Sequence, residues 1–240
     1  MQQHHGAGRP GGRRVYLDVP YAEKNAAKAA GARWDPAARR WYDPRPPTAA
    51  LERWAALPEV PELLPGEDRT FGHGLFVDLV PTTCWFTNVR TCVSPRDWDR
   101  LRRMILGRAG HRCEICGATE DRTVQRWLEA HERWHYQATG ELGGVQALRR
   151  LICLCSPCHL VTHFGHANVT GRTEEAFAHL RAVTGMTQQQ AVEHVFAAER
   201  LWLQRSEKTW DLDLRMLTDA HVALAGPGVW LQAADRDRPL

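Results

Sequence analysis

The sequence predicts an α+β protein, built as a small N-terminal strand-helix-hairpin module, a larger cysteine-paired domain and a helical C-terminal extension. Three observations carry this. An alternating segment, an alanine-rich segment and two tryptophan-bearing segments follow one another over residues 14–43. Two C-x-x-C pairs then bracket a 38-residue segment that leaves space for a helix or a strand pair. Finally, TQQQAVEHVFAAERLWLQ (residues 187–204) carries a stripe at helical spacing.

At 240 residues the chain is long enough to bury a core. Its 43% hydrophobic and 25% charged residues are ordinary for a globular protein. No apolar run approaches the roughly 18 residues a membrane helix needs, so no membrane partner is expected. The opening MQQHHGAGRPGGRR has no apolar block after its basic residues. It reads as a disordered tail over residues 1–13 and not as a secretory signal. The expected compartment is the cytoplasm, where paired cysteines favour metal over disulfide.

Within the first unit, residues 14–46, VYLDV alternates as a strand does. AEKNAAKAAGA is helical by its alanines, with Gly31 where a C-terminal cap belongs. RWDPAARRWYD turns at Asp35-Pro36 into a hairpin, whose Trp34 and Trp41 are expected to supply much of a small core. The pattern YLDVPYAEKNAAKAAGARWDPAARRWYDP resembles a small bacterial module of unknown function that occurs attached to DNA-handling proteins, including plasmid primases and topoisomerases. The resemblance implies a nucleic-acid setting and no defined activity.

Six prolines, Pro44, Pro46, Pro47, Pro58, Pro61 and Pro65, predict a linker over residues 47–70 that holds at most one short helix, TAALERWAAL. The cysteine-paired domain is expected over 71–170 and the extension over 171–240. Ser94 caps a helix with Pro95 at its first position, and Trp98, Leu101 and Ile105 share a face. Thr173 and Thr187 are caps for two more helices; in the second, Ala191, Val195, Ala198 and Trp202 form a core stripe. TWDLDLRML alternates as a final strand.

The net charge of +3 does not by itself imply nucleic acid. Residues 96–112, however, hold Arg96, Arg100, Arg102, Arg103, Arg108 and Arg112 against Asp97 and Asp99. That face suits phosphate or is a solvated helix surface; Arg100, Arg103, Arg108 and Arg112 are the candidate contacts.

Cys113-Glu-Ile-Cys116 and Cys155-Ser-Pro-Cys158 each offer two thiolates from one tight turn, the first eased by Gly117. Two such knuckles close a tetrahedron around a structural zinc, the reading preferred here over a redox dithiol or inert core cysteines. Cys153 falls outside the C-x-x-C frame and reads as a packed hydrophobe, as do Cys84 and Cys92. His159 and His163 are spaced i, i+4, so a helix after Cys158 puts them on one face.

Together the helix into AGHRCEICG, LEAHERW, the glycines at 143 and 144, and LCSPCHLVTH resemble the HNH nuclease family over about residues 98–166. That family has a ββα-metal fold stitched by zinc knuckles. The resemblance implies hydrolysis of a phosphodiester, with DNA as the first expectation. It also implies a catalytic divalent ion such as magnesium or manganese beside the structural zinc. His131 matches the strand histidine, as general base or as ligand; His159 and His163 match the helix ligands. If His131 is a ligand, Glu132 stands at the base position, where an unperturbed pKa of about 4.3 makes a weak base. Arg150 replaces the expected middle asparagine and is a candidate phosphate contact. His131, His135 and His159 also read as packing residues, so two further functions stand beside the nuclease. One is a zinc-stabilised nucleic-acid-binding protein without catalysis, the other a protein-binding adaptor using some of the 10 tryptophans.

Overall fold

The computed structural model describes residues 14–84 and 88–225. They divide into two compact units on either side of Glu59–Val60, each with its own core. The tail expected over 1–13 and the end of the chain beyond 225 lie outside the described residues. The architecture is mixed α+β, with a three-stranded sheet in each unit. No described helix is long and apolar enough to cross a membrane.

The first unit follows its sequence pattern locally. Strand β1 (Val15–Leu17) leads to helix α1 (Lys24–Ala29), and the hairpin β2 (Arg33–Asp35) and β3 (Arg40–Asp43) completes a sheet in the order β1-β3-β2. Gly31 ends the helical segment at φ 103°, a conformation that residues with a Cβ avoid. In the hairpin turn the Asp35 carboxylate accepts from the Ala37 and Ala38 amides at 3.0 and 3.2 Å, which is why Asp-Pro opens it.

The core differs from expectation. Trp34 is 49% exposed, and the indole at the centre is Trp54, 3% exposed. Trp54 comes from a short 3-10 helix, Ala49–Trp54, inside the segment read as linker. Two buried aspartates draw that proline-rich stretch inward. Asp18 accepts from the Leu57 amide at 2.8 Å, and Asp43 accepts from the Arg45 and Thr48 amides at 2.9 and 2.8 Å. Side-chain acceptors thus satisfy backbone donors that the prolines keep out of regular ladders. The module therefore extends past residue 46. Residues 60–70 are not linker either, since Val60 and Leu64 join the core of the second unit.

The second unit is built on a hairpin of β4 (Leu128–Ala138) and β5 (Gly143–Cys155), with β6 (Thr209–Asp213) parallel to β5. The sheet order β4-β5-β6 leaves β4 at an edge. β5 is buried on both faces over its last residues, so LICLC (residues 151–155) reads as a continuous apolar run where a half-exposed strand would alternate. Gly144 is required by a close approach: a Cβ there would lie 2.4 Å from the Trp210 ring and 2.6 Å from the Gln137 carbonyl oxygen. Because β6 belongs to this sheet, the described part of the segment read as a helical extension, residues 171–225, is an integral part of the unit.

Helix α2 (Val89–Cys92) precedes α3 (Pro95–Arg108), which is capped by Ser94 accepting from the Asp97 amide at 3.1 Å. α4 (Ser156–Thr162) and α5 (Phe164–Val169) follow β5 directly. α6 (Thr173–Thr184) has Thr173 as its first helical residue, so Arg172 stands at the cap position expected for Thr173. α7 (Gln188–Ser206) has Thr187 and Gln190 in a reciprocal capping box, and a short α8 (Arg215–Thr218) follows β6. Leu101 and Ile105 of α3, Leu151, Ile152 and Leu154 of β5, and Leu180 of α6 are fully buried together. Burying each such side chain contributes about 1.5–3 kcal/mol. Ala191 and Val195 join that core as predicted, whereas Trp98 and Trp202 line a cavity.

Candidate functional site

The first cysteine pair sits just beyond α3, where Gly110 and His111 take positive φ and turn the chain back. Cys113 donates its amide to Ala118 O at 2.8 Å and accepts the Gly117 amide at 2.9 Å, with Gly117 at φ 75°. Glu114 then fastens this turn to β5. Its amide donates to Cys153 O at 2.9 Å, and its carboxylate accepts the Cys153 amide at 2.7 Å. The second pair spans the end of β5 and the first turn of α4, which brings all four sulfurs within 4.8 Å of one another. Cys116 and Cys155 stand 3.6 Å apart at sulfur. Tetrahedral thiolates at zinc-sulfur distances of about 2.3 Å lie about 3.8 Å apart, so the set can hold a metal such as zinc. Cys153 is fully buried in the core and outside the cluster, and Cys84 and Cys92 are likewise buried.

Without a cation the four thiols cannot all ionise. Hydrogen bonds from Cys155 and Cys158 hold the Cys113 thiol far below the ordinary range. Sharing with Cys113 pushes Cys155 up to about 12 and Cys158 higher still. A metal removes this conflict by taking four thiolates at once. Two more groups face the cluster. His179 on α6 places Nε2 3.1 Å from Cys158 Sγ. Arg133 is fully buried, and its Nε and Nη1 lack hydrogen-bond partners among the described residues. Burial pulls its pKa down to about 10, against the opposing fields of Asp78, Cys158 and Cys113. Its guanidinium lies over the Phe76 ring at 4.2 Å and donates to Gly74 O at 3.5 Å.

The histidines form a second cluster. His131 comes from β4, His159 from α4, and His163 from the junction of α4 and α5 at φ −91°, ψ 52°. Their ring nitrogens lie within 4.8 Å of one another, and His131 Nε2 is 3.0 Å from His163 Nε2. Two imidazoles on one ion at about 2.0–2.1 Å stand about 3.3 Å apart, so the set suits a divalent cation. Burial pushes His159 down to about 4 and His163 to about 3, and drives His131 well below its ordinary range. All three are neutral at pH 7, the form that ligates metal. Glu129 Oε2 lies 3.4 Å from His159 Nδ1, which orients that ring with Nε2 toward the cluster.

Glu132 is placed differently. Alternation along β4 turns it to the opposite face from His131, and its Oε1 accepts the Val89 amide at 3.1 Å. Burial pushes its pKa up to about 7. Both Glu132 and His131 nonetheless line one cavity of about 1460 Å³, because β4 is an edge strand. His135 is exposed, edge-on to Phe71 at 5.9 Å, and takes no part in the cluster.

Three arginines assigned to phosphate are occupied elsewhere. Arg100 pairs with Asp97 in the interior. Arg108 forms a fully buried pair with Glu67 at 2.6 Å. Arg150 is buried against Glu114 at 3.4 Å and Phe71 O at 3.3 Å. An arginine-rich helix reads as a basic surface only while its partners in distant segments are unknown. Arg112 Nη1 donates to Gly117 O at 3.3 Å, and Arg103 is half-buried on α3. Glu129 was readable in LEAHERW, two residues before His131 and so on its strand face. His179 carried no local signal.

Residues 14–56 match a family described as a domain of unknown function, DUF5710. Two proteins named DNA primase TraC, both from Escherichia coli, are 64% and 55% identical to this chain over 42 residues. Those matches cover 17% of this chain and 3% and 4% of the primases, so the likeness concerns the first unit alone. No solved structure matches the chain.

Proposed function

We propose that the second unit is an HNH-type endonuclease that hydrolyses nucleic-acid phosphodiesters, with DNA as substrate. The observation that carries the reading is the convergence of His131, His159 and His163, from an edge strand and the helix that follows the cysteine knuckle, at the wall of a large cavity. In this reading Cys113, Cys116, Cys155 and Cys158 hold a structural zinc, and the three histidines hold the catalytic divalent ion, magnesium, manganese or another. Such an ion supplies positive charge for the phosphate and lowers the pKa of water.

The chain's own residues do the rest. Glu129 fixes the His159 ring. With His131 committed as a ligand, Glu132 is the candidate base, and burial has matched it to neutral pH. The DNA setting is supported by the name of the primases that the first unit is similar to.

The test is plasmid nicking by the metal-loaded full chain in magnesium, manganese or nickel. His131→Ala and His163→Ala are each expected to lower the rate by ~10²-fold or more. Nicking that survives both substitutions rejects the assignment. A second reading, a zinc-stabilised nucleic-acid-binding protein without catalysis, is favoured by one observation. Arg150 occupies the position of the expected asparagine and is buried against Glu114. Salt-dependent DNA binding without metal-dependent nicking would decide for it.

A further inference from the structure

The cavity beside the histidines has a lining that the hydrolytic reading does not use. Its volume, about 1460 Å³, exceeds the ~300–1,000 Å³ of small-molecule sites. Four indoles line it: Trp98 on α3, Trp127 just before β4, Trp134 on β4 and Trp202 on α7. Trp127 is 44% exposed although its backbone is fixed, since its amide donates to Ser156 Oγ at 3.0 Å and its carbonyl accepts the Ser156 amide at 2.9 Å. Arg122, with its side chain 79% exposed, lies 5.8 Å over the Trp127 ring and extends that platform outward. Arg90 and Arg102 also line the cavity, and neither makes an ion pair or hydrogen bond among the described residues. Arg102 lines the same cavity wall as Glu129 and the three histidines. Of the acids in the lining, Asp78 is paired with Arg205 at 3.3 Å, Glu129 with His159 and Glu120 with Arg122 at 3.6 Å, while Glu132 accepts the Val89 amide and Glu199 completes the set.

We propose that this cavity receives unpaired nucleotides of a single-stranded or locally opened nucleic acid, with a base stacked on Trp127 and a phosphate held by Arg102 beside the histidines. The inference rests on the phosphodiester reading above and adds the strand state of the substrate. In a closed duplex the base faces are already stacked on one another, so the exposed Trp127 indole has nothing to take up. An unpaired strand offers a π-face at every base. The depth of the cluster points the same way. His131 is only 5% exposed, so a reacting phosphate must be carried into the cavity, which a flexible strand does without unstacking a helix.

The experiment measures binding of the full, metal-loaded chain to labelled oligonucleotides of one sequence: single-stranded DNA, single-stranded RNA, blunt duplex DNA, and duplex with a central unpaired bubble. Calcium replaces the cleavage-supporting ion. The expected result is binding to single strands and bubble at least tenfold tighter than to duplex, with quenching of tryptophan fluorescence. Trp127→Ala should weaken single-strand binding roughly tenfold, and Trp127→Phe should restore most of it, as a stacking platform requires. Should Trp127→Ala fold poorly by circular dichroism, Arg102→Gln serves in its place, with a similar loss expected. Equal affinity for duplex and single strand, no binding to any oligonucleotide, or unchanged single-strand binding in the folded variants overturns the proposal.

Cleavage is scored separately, so the two readings fail differently. Single-strand preference that depends on Trp127 but brings no nicking sinks the nuclease and leaves this inference standing. Nicking of closed duplex as fast as of bubble does the reverse. The DNA and RNA arms identify which sugar the site accepts.

Discussion

The two ligand clusters of the second unit share a helix yet are built on opposite principles. The cysteines are closed: three of the four are at most 3% exposed, four sulfurs are present, and the turn that carries two of them is tied to β5 through Glu114. The histidines number three, and they open on a cavity. Four protein ligands in a sealed site hold an ion for structure, whereas three ligands beside open space leave a position for water or substrate. α4 belongs to both. Cys158 in its first turn is locked into the first cluster, and His159, the next residue, points into the second. Rigidity supplied by one site therefore positions the other, since a sub-ångström set of nitrogens needs a fixed helix.

Breaking the closed site should have the largest effect. Cys158→Ser is expected to lose one equivalent of tightly bound zinc per chain. It should also lower the melting midpoint of the second unit by ~10 °C or more, because structural zinc binding is largely folding free energy. Elemental analysis and calorimetry check both. A chain that keeps its midpoint and its metal would show that the four sulfurs do not share an ion.

Glu132→Gln probes the open site and is expected to lower nicking ~10²–10⁴-fold while leaving zinc content unchanged. In the wild type the rate should fall as pH drops below about 7, where Glu132 takes up its proton. The same shift makes a stability prediction of definite sign. The folded chain keeps the Glu132 proton up to about 7, against 4.5 for an ordinary glutamate. Its contribution is thus fully present below 4.5 and is lost as pH rises toward 7. The glutamine variant should therefore melt a few degrees above wild type at pH 8 and together with it at pH 4.

The smallest effect sharpens the comparison. Glu129→Gln removes the carboxylate behind His159 and should weaken binding of the second ion ~10–100-fold. The midpoint set by the cysteine site should not move. Isothermal titration with manganese on the zinc-loaded chain reads this directly, and unchanged affinity would remove Glu129 from the site.

Much of this layout was legible along the chain. The caps at Ser94 and Thr187, the turn at Asp35, the positive φ of Gly31 and the i, i+4 pair of histidines all depend on atoms a few residues apart. The linker reading over 47–70 failed because composition registers prolines but not the aspartates, Asp18 and Asp43, that bind the segment. Arg100 and Arg108 left the arginine face for a related reason. Arg108 is a phosphate candidate until Glu67 is seen against it.

What the sequence determined alone is the inventory and its local geometry: two thiol pairs each preset by a tight turn, one helix that presents two imidazoles, and strands and helices in order. Short-range hydrogen bonding and side-chain periodicity fix these wherever the segment lies. Tertiary structure alone decided which pairs meet. It set Cys116 against Cys155, His131 against His163 and His179 against Cys158, and it chose which charges were sealed in the interior. It also left four indoles around one cavity, since a side chain's environment is set by segments distant in the chain that packing brings to it.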